Sequence, residues 1–296
     1  MNGYGKINME EMFMNQVEIS VIVAMYNLKK YIKRCLNSLI KQDIKKPFEI
    51  IVIDNGSSDG CGKIVEAYCR KYPMIKLIQQ ENQGVSGARK TGIKHAKGAC
   101  IVFVDGDDFV APQYLSRLYE NMLQNQSDIA CCGYYNYFES NQKAMKCLLL
   151  HSKQVLSKDE ALKQLLHDLT IRSYLWNKMF KRHLFMHEDT QFDKLQYFED
   201  FALMPKLFYY ANKVSFIEDC MYYYVQRSGS AMHTASYEKL MQYVTALKMI
   251  KTFLVDKQIY NQYEWDFKFL SSKVALSLIM MGISNVKPLI KQIYES

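Results

Sequence analysis

The stretch Cys100–Asp108, with the sequence CIVFVDGDD, decides the fold of this chain. Its first five residues are apolar, as is typical of a strand buried on both faces of a sheet. Three carboxylates follow within four residues, at Asp105, Asp107 and Asp108. Carboxylates this close repel one another unless a cation or solvent lies between them, and hard oxygen ligands suit Mg²⁺ or Mn²⁺. A solvated turn would also explain an isolated acidic pair, but the preceding strand favours a metal site.

Strand and helix patterns alternate through the first half of the chain. Other apolar runs predict strands at Ile19–Tyr26, Phe48–Asp54 and Ile75–Gln79. Helical patterns lie at Lys29–Lys41, from a cap at Ser58 or Asp59 to Tyr72, at Gly84–Ala96, and from Pro112 onward. This alternation predicts an α/β fold with a mainly parallel central sheet and helices on both faces. Ligands of such sheets bind beyond the carboxyl ends of the strands.

The pattern changes after residue 127. Asp128–Phe138 and Met221–Gln226 have the composition of strands, and two or three amphipathic helices are predicted from Tyr237 onward. We therefore divide the chain into an N-terminal extension (1–17), an α/β domain (18–233) and a C-terminal helical region (234–296). The α/β domain has two halves, about 18–127 and about 128–233.

Composition gives information on the binding partners and the cellular location of the protein. The 296 residues carry a formal net charge of +8, which suits an anionic substrate or surface without choosing among nucleotide, nucleic acid and acidic membrane. Eight scattered cysteines without a C-x-x-C pair suggest reduced thiols. We see no secretory signal and no apolar stretch of about 18 residues that could span a bilayer. These features predict a cytoplasmic protein.

A second acidic cluster ends the strand Phe48–Asp54. A carboxylate at a strand end, such as Asp54, can accept hydrogen bonds from a nucleobase or a ribose hydroxyl, and Gly56 lets the backbone approach a ligand closely. Asp59 would fit either such a contact or a helix cap. This cluster and the Asp105–Asp108 cluster should face one crevice, although they lie about fifty residues apart in the chain.

Several segments, taken in order, resemble the family 2 glycosyltransferases, which have the GT-A fold. The segments that carry the resemblance are Val21–Asn27, Ile51–Asp59, Asn82–Arg89, Phe103–Asp108, Trp176–Lys178, Phe198–Asp200 and Tyr222–Ser230. They cover about residues 18–233, which the resemblance implies to be a catalytic domain with a nucleotide-binding half, about 18–127, and an acceptor-side half, about 128–233. The chain departs from the family pattern at Asn55, where a second aspartate is frequent, and at Val225, where an arginine often follows the tyrosines.

The resemblance implies a role for each matching residue. It implies donor binding by Tyr26, Asn27, Asp54, Gly56, Asp59, Gly84, Arg89 and Asp105. It implies a Mn²⁺ or Mg²⁺ ion held by Asp107 and Asp105, with His233 as a further ligand. Asp200 would be the catalytic base, with Glu199 as the adjacent alternative. Trp176, Lys178 and Arg227, the last in place of the missing arginine, would bind the acceptor.

The implied activity is metal-dependent transfer of a sugar, with inversion, from a nucleotide diphosphate donor to an acceptor hydroxyl. The resemblance favours a UDP-sugar donor and a glycan or lipid-linked acceptor in bacterial surface polysaccharide synthesis. One alternative, a sugar nucleotidyltransferase, would need a glycine-rich basic loop that Asn27–Lys33 lacks. The other is a non-catalytic nucleotide-sugar-binding subunit, against which the intact Asp107 and Asp200 argue. Nucleic-acid binding would not explain the acidic clusters, so no nucleic-acid partner is expected.

The C-terminal region leaves two interpretations open. An apolar stripe at helical spacing comprises Leu240, Tyr243, Val244, Leu247 and Ile250, with Lys239, Lys248, Lys251 and Lys257 nearby. An amphipathic basic helix of this kind can lie on an anionic membrane surface. The same stripe would equally serve to cover the catalytic domain or to form a homodimer interface.

Overall fold

The computed structural model describes residues 17–147, 153–227 and 237–280. The first half contains β1 (Ile19–Met25), α1 (Ile32–Ile40), β2 (Phe48–Asp54), α2 (Cys61–Lys71), β3 (Ile75–Gln79), α3 (Gly84–His95), β4 (Cys100–Asp105), β5 (Phe109–Val110) and α4 (Tyr114–Asn125). The second half contains β6 (Ile129–Phe138), β7 (Lys143–Cys147), β8 (Val155–Ser157), α5 (Lys158–His167), β9 (Lys178–Lys181), α6 (Glu199–Tyr210), β10 (Lys213–Gln226), α7 (Tyr237–Asp256) and α8 (Tyr260–Met280). Short 3₁₀ turns lie at Arg182–Phe185 and Glu188–Thr190.

All ten strands belong to one sheet, whose main order is β3-β2-β1-β4-β9-β6-β10-β5. The four strands β3, β2, β1 and β4 are parallel, which confirms the mainly parallel sheet predicted from the alternation. Beyond β4 the sheet is mixed, because β9 runs antiparallel to both of its neighbours while β10 runs parallel to β6. The short strands β7, β8 and β9 were not predicted from sequence.

The strand order reverses direction at β1, which lies between β2 and β4. In the pairing register Met25 aligns with Asp54, and Ala24 aligns with Asp105. The carboxyl ends of the three strands therefore meet at one edge of the sheet, beside the crevice where open α/β sheets bind ligands. The two acidic clusters follow β2 and β4 at this edge.

Three helix starts differ from the sequence interpretation. The first helix begins at Ile32 rather than at Lys29. The fourth helix begins at Tyr114 rather than at Pro112. The second helix begins at Cys61 after Gly60, which takes the left-handed conformation with φ +84°. Asp59 still accepts a hydrogen bond from the Cys61 backbone N–H at 3.0 Å, so its carboxylate contacts the first turn of the helix from one position further out.

The C-terminal helices pack against the catalytic domain. The predicted apolar stripe of α7 lies inside the core: Leu240, Val244, Leu247 and Ile250 are buried, and Tyr243 packs against the same cluster. The expectation that this stripe lies in a lipid interface is therefore wrong, because its apolar surface is already covered by the protein. Within the described residues, none of the helices combines the length and apolar character that crossing a membrane requires.

Candidate active site

A cleft of about 610 Å³ lies at the carboxyl ends of β1 and β4, within the usual size range of a small-molecule site. Nine of the predicted site residues line it: Tyr26, Gly84, Arg89, Asp105, Asp107, Trp176, Glu199, Asp200 and Arg227. The structure thus brings together residues that are up to about two hundred positions apart in the chain. The segments predicted to bind the donor and the acceptor meet across this one cleft.

Arg89 joins the two sides of the cleft. Its guanidinium is bound to Asp105 Oδ1 at 3.0 Å and to Glu199 Oε1 at 2.5 Å, and the arginine is only 6% exposed. Burial alone would lower the pKa of Arg89, but the negative charges of Asp105 and Glu199 outweigh it and raise that pKa. The bridge fixes the end of β4 against the start of α6, so the acidic motif and the neighbouring Asp200 are held close together.

The three carboxylates of the acidic motif have different surroundings. Asp107 accepts a hydrogen bond from Arg227 and forms an ion pair with it, and burial and the charge of Asp105 raise the pKa of Asp107 against the opposing effect of Arg227. Asp108 points into the fold, where it accepts from the Tyr222 hydroxyl at 2.7 Å and from the Val225 N–H at 2.8 Å. Asp108 therefore anchors β10 beneath the cleft, and Asp105 and Asp107 remain as the carboxylates that face it.

Asp200 lies at the start of α6, where it accepts a hydrogen bond from the Phe201 N–H at 2.8 Å. Burial and the charge of Glu199 raise the pKa of Asp200 to about 7. Burial also raises the pKa of Glu199, although the bound Arg89 opposes the rise. Asp200 is thus the carboxyl group of the pair that is not bound to a cation, and its pKa suits proton transfer near neutrality.

The turns after β1 and β2 are fastened to each other. The Asn27 side-chain oxygen accepts from the Ser58 N–H at 2.8 Å, and the Asn27 N–H donates to Ser57 Oγ at 3.0 Å. Asp59 accepts from the Lys29 N–H at 2.7 Å. Asn27 and Asp59 therefore do not line the cleft themselves, and their observed role is to hold the turn that presents Tyr26, which is 49% exposed.

The segment after β2 is built around buried polar groups. Asp54 is 5% exposed and accepts from the Ser57 N–H at 3.0 Å. The Asn55 side chain binds the loop before α3, donating to Asn82 Oδ1 and to the Gly84 carbonyl. Gly56 has φ +80°, and a Cβ there would lie 3.0 Å from the Asn82 backbone nitrogen, so a larger residue would strain this turn. Asp54 and Gly56 shape the donor side without lining the cleft.

Two residues predicted to contact the acceptor are bound to other groups of the protein. Lys178 is 1% exposed, and its ammonium group donates to the Arg172 and Tyr174 carbonyls and to Asn177 Oδ1. All three of its N–H donors are used, so Lys178 holds the loop before β9 and does not face an acceptor. Arg227 does line the cleft, but it binds Asp107 on the side of the acidic motif.

The remaining acceptor residue, Trp176, is 5% exposed and is mostly packed against other rings. It stacks on Tyr174, Tyr222 and Tyr224 at centroid distances of 4.7, 4.5 and 5.4 Å. Only its edge is available to the cleft. The predicted ligand His233 lies outside the described residues, and within the described ranges no group of three or more His, Cys, Asp or Glu side chains is arranged to hold a metal ion.

Sequence reasoning missed part of the cleft wall. Asp168, Ser173, Tyr174 and Tyr243 line it, and Tyr243 comes from the C-terminal helix α7. Asp168 takes the left-handed conformation and accepts hydrogen bonds from Arg172 and Lys273. The single sequence signal for Tyr243 was its tyrosine hydroxyl within an otherwise aliphatic stripe, which local spacing interprets simply as core.

Comparison with known proteins identifies the family. Residues 20–188 match the family model described as Glycosyl transferase family 2. The chain belongs to this family, which confirms the resemblance inferred from the motifs. It is similar to the uncharacterized glycosyltransferase EpsJ of Bacillus subtilis (strain 168), with 36% identity over 215 residues, 72% of this chain and 62% of EpsJ. This chain therefore spans less than two thirds of the length of that relative.

A second relative is the poly(ribitol-phosphate) beta-N-acetylglucosaminyltransferase TarS of Staphylococcus aureus, 30% identical over 224 residues, which are 74% of this chain and 37% of TarS. The crystal structure of TarS 1–349 with UDP-GlcNAc superposes with a TM-score of 0.65, at 22% identity, and covers 94% of this chain and 88% of that one. The mannosyltransferase PcManGT of Pyrobaculum calidifontis, in complex with GDP-Man and Mn²⁺, superposes with a TM-score of 0.57 at 15% identity and covers 96% and 80%. These similarities confirm the GT-A fold.

Proposed function

We propose that the protein transfers a sugar from a nucleotide diphosphate to an acceptor hydroxyl in a metal-dependent, inverting reaction. The observation that carries the proposal is the Arg89 bridge between Asp105 and Glu199. It holds the acidic motif, suited to a leaving diphosphate, beside Asp200, suited to deprotonate an attacking hydroxyl. Transfer by direct displacement needs these two functions on opposite sides of one anomeric carbon.

The donor side of the cleft suits a nucleoside diphosphate sugar. Tyr26, Asn55, Asn82 and Gly84 line the part of the cleft that follows β1 and β2. Asn27, Asp54, Gly56 and Asp59 would act by shaping this wall. Because TarS was crystallised with UDP-GlcNAc, we propose a UDP-sugar as the donor. Arg89 would contribute positive charge near the phosphates while it keeps Asp105 in place.

The residues of the acidic motif fit a divalent cation. Asp105 and Asp107 offer hard oxygen ligands on the same side of the cleft, and the Asp107 carboxylate already holds a positive group, the Arg227 guanidinium. We propose that Asp107 is the principal ligand, with Asp105 beside it and His233 as a further ligand. PcManGT, a structural neighbour, binds Mn²⁺. A bound Mn²⁺ or Mg²⁺ would offset the negative charge that develops on the departing diphosphate.

Asp200 is the proposed base. Its pKa of about 7 leaves a large ionised fraction at neutral pH together with enough basicity to take the proton of an acceptor hydroxyl. Glu199 is bound to Arg89 and would orient that arginine instead of accepting a proton. Trp176 and the surrounding rings would position the acceptor.

The proposed setting is bacterial surface polysaccharide synthesis on a glycan or lipid-linked acceptor. TarS, named as a poly(ribitol-phosphate) glycosyltransferase, supports the polymer class. All eight cysteines are unpaired, which fits a reducing compartment such as the cytoplasm. If the protein contacts a membrane surface, that contact would involve a part of it other than the buried stripe of α7.

A donor screen tests the proposal. The full chain would be incubated with Mn²⁺ and a panel of UDP-, GDP- and dTDP-sugars, and release of nucleoside diphosphate would be measured. We expect release from one donor class, loss of release with chelator, and loss in Asp107→Ala. Asp219→Ala, which removes an exposed carboxylate far along β10, is the matched control and should release at the wild-type rate. Tight donor binding without any release would instead support a non-catalytic subunit.

A further inference from the structure

The cleft wall around Asp200 is unusually aromatic. Seven rings line it: Tyr174, Trp176, Tyr197, Phe198, Phe201, Tyr224 and Tyr243. Tyr243 stacks on Phe198 with ring centroids 4.2 Å apart and an interplanar angle of 10°, and Phe201 meets Tyr243 edge-on at 5.0 Å. Since Phe198 and Phe201 flank Glu199 and Asp200 in the chain, Tyr243 lies directly beside the proposed base. A flat apolar wall of this kind suits the face of a ring-shaped ligand.

The same wall carries polar groups that the protein does not use. Among the residues described by the structure, no hydrogen-bond partner exists for the hydroxyls of Tyr174, Tyr224 and Tyr243, all of which line the cleft. Burial raises the pKa of each of these hydroxyls, so each stays a neutral donor and acceptor at physiological pH. Partly buried tyrosine hydroxyls usually find a partner. A hydroxylated ligand would supply the missing partners.

The charges around this wall are unfavourable for an anion. Of the described residues that line the cleft, Arg89 and Arg227 are the cations, and both bind carboxylates of the acidic side. Arg172 and Lys273 bind Asp168 and do not line the cleft. The charge of Arg172 acts on the Tyr174 and Tyr243 hydroxyls, but this arginine is already bound to Asp168. The carboxyls of Asp168 and Asp200 also line the cleft, so a phosphate or carboxylate placed there would lose water and gain no unpaired cation from the lining residues.

We infer that the subsite formed by Tyr174, Tyr224 and Tyr243 beside Asp200 takes an uncharged, hydroxylated ring of the acceptor, a sugar ring without phosphate or carboxylate. Tyr243 makes the C-terminal helix α7 part of acceptor recognition. This inference rests on the proposed function, because it takes Asp200 as the group nearest the attacked hydroxyl. The inference excludes acceptors whose reacting end is a polyol phosphate.

The test compares acceptors at a fixed donor. With the donor identified by the screen, transfer would be measured to phenyl β-glycosides of glucose, galactose and N-acetylglucosamine, to their 6-phosphates, and to ribitol 5-phosphate. We expect at least one neutral glycoside to be used and every phosphorylated acceptor to be at least 100-fold less efficient in kcat/KM. Equal use of a phosphorylated acceptor would overturn the inference, as would donor hydrolysis with no transfer to any neutral glycoside.

Variants then test whether the tyrosine hydroxyls of the subsite bind the acceptor. Tyr243→Phe and Tyr174→Phe keep the packed rings and remove one hydroxyl each, so we expect a three- to tenfold higher acceptor KM and a smaller change in donor KM. Tyr135→Phe, which alters a ring stacked on Tyr223 away from the cleft, is the matched control and should change neither value. Unchanged acceptor KM in both cleft variants would overturn the subsite. No nucleoside diphosphate release from any donor would overturn the proposed function itself, and this inference with it.

Discussion

Arg227 binds one carboxylate oxygen of Asp107: its Nε donates a hydrogen bond to Oδ2 at 2.9 Å, and its Nη2 lies 2.7 Å from the same oxygen as an ion pair. The guanidinium also lies over the Tyr31 ring, with its carbon 5.0 Å from the ring centroid. A cation thus neutralises the proposed metal ligand when no metal is bound. Arg227 and a divalent ion should then compete for Asp107, because two cations held at one carboxylate repel each other.

Removing this competitor should strengthen metal binding. In Arg227→Ala we expect Mn²⁺ to bind about tenfold more tightly in the absence of nucleotide, which corresponds to about 1.4 kcal/mol. The reason is that the ion no longer has to displace a partly buried guanidinium from Asp107. Calorimetric or paramagnetic titration with Mn²⁺ would measure the change.

Arg117→Ala is the matched control, because it removes an arginine from an exposed pair with Asp219 far from the motif. It should leave Mn²⁺ affinity unaltered. Weaker Mn²⁺ binding in Arg227→Ala than in the wild type would contradict the competition and would indicate that Arg227 supports the metal site.

The two neighbouring carboxyls at the start of α6 should respond differently to amide substitution. Asp200→Asn should lower transfer by about 10²- to 10⁴-fold, the usual range for removing a general base, while donor binding persists. Glu199→Gln should mainly lower Tm, because it weakens a buried charge pair with Arg89. Transfer kinetics, donor titration and thermal melts separate these outcomes. If Glu199→Gln loses transfer while Asp200→Asn keeps it, the base has been assigned to the wrong residue.

The pH dependence follows from the raised pKa of Asp200, about 7. A base must be ionised, so kcat/KM should rise with pH through about 7 and fall roughly tenfold per unit well below it. The free energy of unfolding changes with pH in the opposite direction to kcat/KM. A folded pKa above the unfolded value of about 3.9 stabilises the protein at low pH, and this stability is lost as pH rises through 7. The Tm advantage of Asp200→Asn over the wild type should therefore be absent near pH 4 and full near pH 8. An advantage that grows on acidification would show that the pKa is lowered instead.

The packing of α7 onto the catalytic domain can be tested with two leucines. Leu247 is fully buried in the core, whereas Leu276 on α8 is 57% exposed. Leu247→Ala should lower the free energy of unfolding by about 2–5 kcal/mol, because it leaves a cavity, and Leu276→Ala should change it by less than about 0.5 kcal/mol. Chemical denaturation measures both. Equal, small effects would mean that α7 does not belong to the folded core.

Local sequence patterns were sufficient to predict the strands of the parallel half of the sheet. Its strands β1, β2 and β4 are mainly apolar runs, and Asp54 and Asp105 end two of them, so strand ends and site positions are set by neighbouring residues. The short strands β7, β8 and β9 carry no such run. They form because β6, β10 and β4 offer unpaired edges, which is a tertiary effect that no local pattern contains.

The sequence predicted which segments form the site, but it did not predict the orientation of every side chain in it. Motif order brought Asp105, Asp107 and Asp200 to one cleft, but it could not say which polar side chains turn inward. Lys178 and Asp108 look like ligand contacts in the sequence, and the structure commits both to internal hydrogen bonds. Tyr243 looks like core, yet it reaches the cleft because α7 crosses the start of α6. Such roles depend on contacts between distant segments.

The most direct test of the central claim is the anomeric configuration of the transferred sugar. The donor found in the screen would be incubated with Mn²⁺, a neutral glycoside and the full chain, and the product would be analysed by mass spectrometry and proton NMR. The account predicts an acceptor heavier by one sugar residue, one nucleoside diphosphate released per transfer, and a new linkage with the configuration opposite to that of the donor. A product that retains the donor configuration, or full transfer in the presence of chelator, would contradict it.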